Sequence, residues 1–201
     1  MNRFVVAAVA CAMSAHAFAG NPAKGKAAKI DLNGNWTSEK CESMPNGQGG
    51  EMYFTRTFPM TDKEWKIDFT VFGDKDCSQA LFTLDIVGDW ELRGKSKAVK
   101  GAHNAWFGFK TRTLTAKSEG AVGFMNKGSF CGKADWKVGE AVDIHTTGCA
   151  QIGAKPVAEC KGEHDLVKLD GGKWFLGDRS GNMCKKGGYP TKLYPIALVK
   201  K

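Results

Sequence analysis

The stretch that decides the fold is Leu32-Asn-Gly-Asn-Trp36-Thr-Ser-Glu-Lys-Cys41-Glu42, followed by Tyr53-Phe-Thr-Arg-Thr-Phe58. A glycine two residues before a tryptophan lets the backbone bend tightly where a first strand enters a barrel. The indole then closes the base of that barrel. We therefore expect structural roles for Gly34 and Trp36.

The second segment places one cation among aromatic side chains. Arg56 shares a strand face with Phe54 and Phe58, because side chains two residues apart point to the same side of a strand. A buried cation needs a partner. We expect a carboxylate or backbone carbonyls, with Glu42 and Asp143 as first candidates, an aromatic ring, or the polar head of a ligand.

Alternation of apolar and polar residues dominates the rest of the chain. It is regular in Trp65–Val71 and Phe82–Leu92, where Gly88 indicates a bulge or a sharp bend. Further strands are predicted at Leu32–Glu39, Ala105–Leu114, Val142–Thr147, Leu166–Leu169, Trp174–Leu176 and Leu193–Val199. The only plausible helix is a turn or two around Ser118–Met125. The sequence therefore predicts an all-β protein: a strongly curved antiparallel sheet or half-open β-barrel, lipocalin-like in general architecture, with at most one short helix.

Targeting features occupy the beginning of the chain. Residues 1–19 have a basic start, a short apolar core and an A-x-A cleavage site, which predicts a signal peptide and an exported, periplasmic or secreted protein. Residues 20–29 are expected to form a flexible leader, and residues 30–201 a single β-barrel-like domain. The apolar run is shorter than the ~20 residues that a membrane span needs. The 29 Lys and Arg residues are spread along the chain, which favours solvated outer faces over a nucleic-acid site.

Cysteine usage fits export. Of the seven cysteines, Cys11 belongs to the predicted signal, and six remain: Cys41, Cys77, Cys131, Cys149, Cys160 and Cys184. An even number in an exported chain indicates disulfides, in one of many possible connectivities. Zinc is disfavoured, because the chain has no C-x-x-C motif and no closely spaced pair of histidines. No cofactor or metal site is predicted.

A series of short motifs runs through the chain in a fixed order. After L-x-G-x-W-x-S-x-x-C-E and Tyr53–Phe58 come Asp76-Cys77 with Phe82–Gly88, Lys100–His103, Cys131-Gly132, Trp136–Gly139, Asp143–Cys149 and Tyr189–Leu198. Together they resemble the adenomatosis-polyposis-coli-down-regulated domain family, a β-barrel domain whose best-known animal member is a Wnt antagonist. The chain departs from the family pattern at Ala80, where a proline is usual.

The resemblance implies disulfides Cys41–Cys77 and Cys131–Cys149, which leaves Cys160–Cys184. It also implies an apolar pocket suited to a lipid or fatty-acyl chain. Animal members carry two copies and a membrane anchor. This chain is expected to be a single-copy, bacterial-type exported member, so Wnt antagonism is not carried over.

The interior of a curled sheet is either filled with side chains or holds a ligand, and the alternation leaves both open. Residues expected on this face are Phe54, Arg56, Trp65, Phe69, Phe82, Leu84, Ile86, Phe107 and Phe109. The favoured function is an exported, monomeric, non-enzymatic binding protein for a hydrophobic ligand.

Two other classes stay open. The alternative is an exported enzyme inhibitor that presents the Met44–Gly50 loop. A hydrolase using His145 and Asp143 comes last, because no catalytic motif accompanies the pair.

Glu163-His164-Asp165 is interpreted as the solvated start of a strand.

Overall fold

Antiparallel strands make up most of the chain in the computed structural model, which describes residues 30–46 and 49–201. The strands are β1 (Gly34–Ser38), β2 (Glu42–Pro45), β3 (Glu51–Met60), β4 (Glu64–Phe72), β5 (Ala80–Lys95), β6 (His103–Gly108), β7 (Thr111–Ala116), β8 (Ala141–Asp143), β9 (Gly162–Asp170), β10 (Lys173–Leu176) and β11 (Leu198–Lys200). One helix, α1 (Glu119–Lys127), follows β7. The predicted all-β class with at most one short helix is confirmed. The predicted signal peptide and leader, and residues 47–48 of the Met44–Gly50 loop, lie outside the described residues.

Eight strands close into a ring of antiparallel pairs. The order is β1, β3, β4, β5, β6, β9, β10 and β11, and β11 pairs back to β1. Eight strands enclose an interior that side chains just fill, or that holds one small ligand.

The two ends of this barrel differ because β3 and β5 are longer than the strands that close it. At one end, Thr57 and Met60 of β3 pair with β1, and Trp90 and Leu92 of β5 pair with β6. At the other end, the same edge of β3 pairs with β2, and the same edge of β5 pairs with β7. Within the described residues, β2 and β8 each pair along one edge only. The barrel is therefore closed by the sheet at its base, whereas two free strand edges flank its upper end.

The β6–β7 junction corrects the prediction of one strand over Ala105–Leu114. The chain turns after Gly108 and returns along the same edge of β5. The backbones of Gly88 and Gly108 approach each other closely there, so that a methyl group on Gly88 would overlap the carbonyl oxygen of Gly108. The indole Nε1 of Trp65 donates a hydrogen bond to that oxygen, at 2.9 Å. Gly88 thus permits a close approach of backbones.

Gly88 is also not the site of a bulge. The β4–β5 ladder runs without interruption through Trp65 and Gly88, and the shift in the β5–β6 ladder falls between Leu92 and Lys95.

Two predicted strands are shorter in the structure. The strand predicted over Val142–Thr147 ends at Asp143, whose carboxylate accepts a hydrogen bond from the backbone N–H of His145 at 2.6 Å and so starts a turn. The strand predicted over Leu193–Val199 begins only at Leu198. Pro195 explains part of this, because proline has no N–H to donate to a ladder.

Helix α1 and its surroundings form a small second core beside the barrel. Ser118 caps the helix by accepting a hydrogen bond from the N–H of Ala121 at 3.2 Å. Buried residues of this core include Leu114, Met125, Phe130, Trp136 and Ile144. Phe82 and Leu84 of β5 pack against this core, and Phe124 of the helix borders the cavity of the barrel.

Three disulfides join segments that are far apart in sequence. They are Cys41–Cys77, Cys131–Cys149 and Cys160–Cys184, with separations of 36, 18 and 24 residues. The first two pairs are those that the family resemblance implied, and the third is the pair that they left.

Candidate functional site

A cavity of about 760 Å³ opens from the interior of the barrel. This volume lies within the range typical of small-molecule sites in proteins. Inward-facing side chains of β3, β4 and β5 form its longest wall, and Phe124 of α1 and Tyr194 border it elsewhere. Phe124 is 70% exposed, unusual for a large apolar residue, and it lies beside the space that the wall encloses.

The strand register explains how the wall is assembled. Phe69 lies between Arg56 on β3 and Leu84 on β5, and Ile67 lies opposite Ile86. Cross-strand neighbours share a face of the sheet. The alternation seen in the separate strand sequences therefore combines into one continuous apolar surface.

Burial differs between the two ends of that surface. The inward-facing side chains at the base, such as Phe58 and Trp174, are fully buried. Higher up, Phe54 and Val71 are buried as well, but five apolar side chains on the same face are only half-buried: Ile67, Phe69, Phe82, Leu84 and Ile86. A packed core would cover such residues completely. The upper part of the barrel is thus a cavity with apolar walls.

The residues predicted from sequence for the concave face all border this cavity. They are Phe54, Arg56, Trp65, Phe69, Phe82, Leu84, Ile86, Phe107 and Phe109. For the residues on strands, the inward orientation follows from the period of two that located them, whereas Phe109 lies between β6 and β7. Their role in binding stays a prediction.

Trp36 contributes to the floor of the barrel. Its side chain is buried, its Nε1 donates a hydrogen bond to the carbonyl oxygen of Leu32 at 2.8 Å, and its ring meets that of Trp174 edge to face. Gly34 has a φ of 115°, a conformation that suits glycine. Gly34 begins β1 and Trp36 is buried at the base, and the structural roles expected for this pair stay predictions.

Arg56 is buried and neutralised by Glu42. Its Nε and Nη2 donate to the two carboxylate oxygens at 2.9 and 2.8 Å, and Nη2 also donates to the carbonyl oxygen of Ile196. The guanidinium carbon lies 5.0 Å from the centre of the Tyr194 ring. The predicted need for a carboxylate partner is met by the first candidate, Glu42.

A second charged cluster lies on β9 and in the segment after β10. Arg179 contacts Glu163 and lies 3.5 Å from Asp165. The Asp165 carboxylate accepts hydrogen bonds from the backbone N–H groups of Leu166 and Gly177, at 2.6 and 2.8 Å. Burial raises the pKa of the Asp165 carboxyl to about 7, and Arg179 opposes this shift.

The interpretation of Glu163-His164-Asp165 as a solvated strand start is therefore wrong. His164 and Asp165 are both buried. The partners that make this possible come from a segment more than ten residues further along the chain, which the local sequence does not reveal.

Sequence reasoning missed Arg112, which also borders the cavity. It stands on β7 opposite Ile86 of β5 and is only 3% exposed. Its Nη2 donates to the carbonyl oxygens of His145 and Lys155, at 2.8 and 2.7 Å. Its guanidinium lies 5.0 Å from the centre of the Phe109 ring. The available signal was its alternation with Leu114 and Ala116, both of them buried.

The geometry of Asp143 and His145 does not match that of an oriented base. The Asp143 carboxylate bonds to the backbone of His145, and the imidazole Nδ1 is buried without a hydrogen-bond partner. Among the described residues, no group of three or more His, Cys, Asp or Glu side chains is placed to hold a metal ion. No helix in that same part of the chain is both long and apolar enough to cross a membrane.

Comparison with known families bears on this arrangement. A family model described as "Adenomatosis polyposis coli down-regulated 1" matches residues 11–138. The chain belongs to this family. The match spans β1 through β7 and α1, and so includes the entire apolar wall of the cavity. A β-barrel from this family is compatible with a binding role, and its three disulfides are consistent with an exported protein.

Proposed function

We propose that this protein is an exported, single-domain binding protein that holds a lipid or fatty-acyl chain inside its barrel. One observation carries the proposal: five adjacent inward-facing apolar side chains, Ile67, Phe69, Phe82, Leu84 and Ile86, are only half-buried around a cavity of about 760 Å³. An acyl chain is the kind of ligand that covers a long apolar wall without needing many polar partners.

The energetics support binding of useful strength. Each buried CH₂ group contributes ~0.8 kcal/mol. A chain of about a dozen carbons therefore gains enough for micromolar affinity after the costs of ordering and association. The proposal assigns no catalytic role: of the acidic residues that border the cavity, Asp165 accepts hydrogen bonds from two backbone N–H groups and Glu163 contacts Arg179.

The test is the displacement of a fluorescent fatty acid from wild type and from two variants of neighbouring residues. Ile86 faces the cavity, whereas Val87 lies opposite Lys66 on the outer face of β5. We expect Ile86→Asp to weaken binding by more than about tenfold, because the new carboxylate must lose its hydration inside an apolar wall. The matched control Val87→Asp is expected to bind like wild type.

Folding of each variant is checked first by circular dichroism and by thermal unfolding. Should Ile86→Asp fail to fold, Leu84→Trp replaces it, since the larger side chain enters the cavity and competes with the ligand for volume. Absence of saturable binding by wild type would refute the proposal. Equal binding by wild type and Leu84→Trp would place the ligand elsewhere.

A further inference from the structure

Three arginines border the cavity, and they differ in how their charges are balanced. Arg56 is paired with Glu42, and Arg179 is paired with Glu163. Among the described residues, no carboxylate oxygen lies within 4.0 Å of the Arg112 guanidinium nitrogens. Arg112 is therefore the buried cavity cation whose charge the protein does not neutralise by contact.

The hydrogen bonding of Arg112 is incomplete as well. Its Nη2 uses both hydrogens on backbone carbonyl oxygens, and its Nε is buried with no acceptor. Buried charges are normally paired, since desolvation without compensation is costly. The carboxylates of Glu163 and Asp143 act on Arg112 only at longer range, and they are engaged by Arg179 and by the backbone N–H of His145, respectively.

Arg112 is also placed where it could contact a ligand in the cavity. Arg112 lies directly across from Ile86, at the edge of the half-buried apolar wall. A ligand that lies along Leu84 and Ile86 would bring one of its ends close to the guanidinium. In a site that excludes water, a single charge acts more strongly than at the surface.

We propose that Arg112 is the counter-ion for an anionic end of the ligand, which makes the preferred ligand a fatty acid or another single-chain lipid with a negatively charged head. This inference rests on the proposed function and specifies its ligand class. The apolar wall takes up the chain, and the unpaired guanidinium selects the sign of the head group. Arg56 does not fill this role, because Glu42 already occupies its Nε and Nη2.

The experiment compares three probes with the same twelve-carbon chain, lauric acid, 1-dodecanol and dodecylamine, as competitors of a fluorescent fatty acid at neutral pH. Wild type is expected to bind the acid about tenfold more tightly than the alcohol, and the alcohol more tightly than the amine. Arg112→Lys retains a positive charge and should keep this order. Arg112→Met should bind the alcohol as wild type does and lose the preference for the acid.

Arg93→Met serves as the matched control, since it removes an arginine that is paired with Glu91 and does not border the cavity. It should leave the ratio of acid to alcohol affinities unchanged. If Arg112→Met does not fold, the order of affinities of wild type for the three probes still tests the proposal. This order is then measured at low and at high salt. A preference held by a buried charge persists in salt, whereas one due to surface lysines is screened.

The outcomes separate the two proposals. If no probe binds wild type, the proposed function is wrong. If all three bind equally, if the preference disappears in salt, or if Arg112→Met keeps the preference, the cavity binds chains but Arg112 does not select anions.

Discussion

Replacing Glu42 by Gln removes the carboxylate that neutralises Arg56 and leaves both side chains in place. Glu42 is 2% and Arg56 is 7% exposed. The carboxylate accepts two hydrogen bonds from the guanidinium and one from the Ser38 hydroxyl, at 2.5 Å. Glutamine keeps one oxygen but has no charge, so the guanidinium becomes a buried cation with only neutral partners.

The size of the effect follows from the contact geometry. Two unit charges about 4 Å apart attract by about 4 kcal/mol when the effective dielectric constant is about 20. Removal of one partner of a buried pair commonly costs about 3–5 kcal/mol, since the remaining charge is uncompensated. We therefore expect Glu42→Gln to lower the free energy of unfolding by about 3–5 kcal/mol, a large fraction of the stability of an ordinary domain.

Urea unfolding of the oxidised protein measures this loss, and the Lys110–Asp89 pair provides a matched comparison. Those side chains are 52% and 56% exposed although their charged atoms are 2.5 Å apart. Asp89→Asn should cost much less than Glu42→Gln, as is usual for exposed pairs. The double variant Glu42→Leu/Arg56→Met should be more stable than Glu42→Gln, because it removes both charges. The reasoning is refuted if Glu42→Gln and Asp89→Asn have equal, small effects.

Two further predictions concern glycine packing and pH. Gly88→Ala should destabilise the fold markedly, because the new methyl group meets the carbonyl of Gly108. In Gly123→Ala, on α1, the methyl group meets no atom within 4 Å, so this variant should be more stable than wild type by up to about 1 kcal/mol. Thermal unfolding compares the two variants, and equal effects would contradict the close approach of Gly88 to Gly108. Since the folded pKa of Asp165 is raised to about 7, wild type should steadily lose stability relative to Asp165→Asn as pH rises from about 4 to about 7, and the difference should then level off. A pH-independent difference in urea unfolding would exclude this.

The sequence predicted those parts of the fold for which the residue pattern within a single strand is sufficient. In β4 and β5 the period of two identified the inward face, because each side chain's orientation depends only on its place along the strand. The pairing of Arg56 was predictable for a related reason. A cation on an apolar face requires a partner, and few acidic residues lay on neighbouring segments.

Arg112 was missed because its environment depends on a turn. Apolar residues occupy odd positions in β6, at Ala105 and Phe107, and even positions in β7, at Leu114 and Ala116. This change of parity is a sign that the strand breaks between the two segments. A single strand through both would have put Arg112 on the outer face, where a cation needs no explanation.

The burial of Asp165 was unpredictable for a different reason. Its carboxylate is satisfied by Gly177 and faces Arg179, both of which follow β10. Nothing in Glu163-His164-Asp165 itself distinguishes this run from a solvated one. Long-range closure of the barrel decides which charged residues become interior, and that closure is not encoded in any short window.

The uneven closure of the barrel explains how one set of strands can serve both stability and binding. At the base, β3 and β5 are paired with the closing strands, and the side chains of Trp36, Phe58 and Trp174 are fully buried, so these residues contribute their apolar transfer energy to folding. At the upper end, the same strands hold Leu84 and Ile86 half-buried, and part of the ~1.5–3 kcal/mol that full burial of such a side chain yields is not used in folding. A ligand that covers these side chains gains that energy on binding. Substitutions at the base should therefore change stability first, whereas substitutions at the upper end should change affinity with little loss of fold.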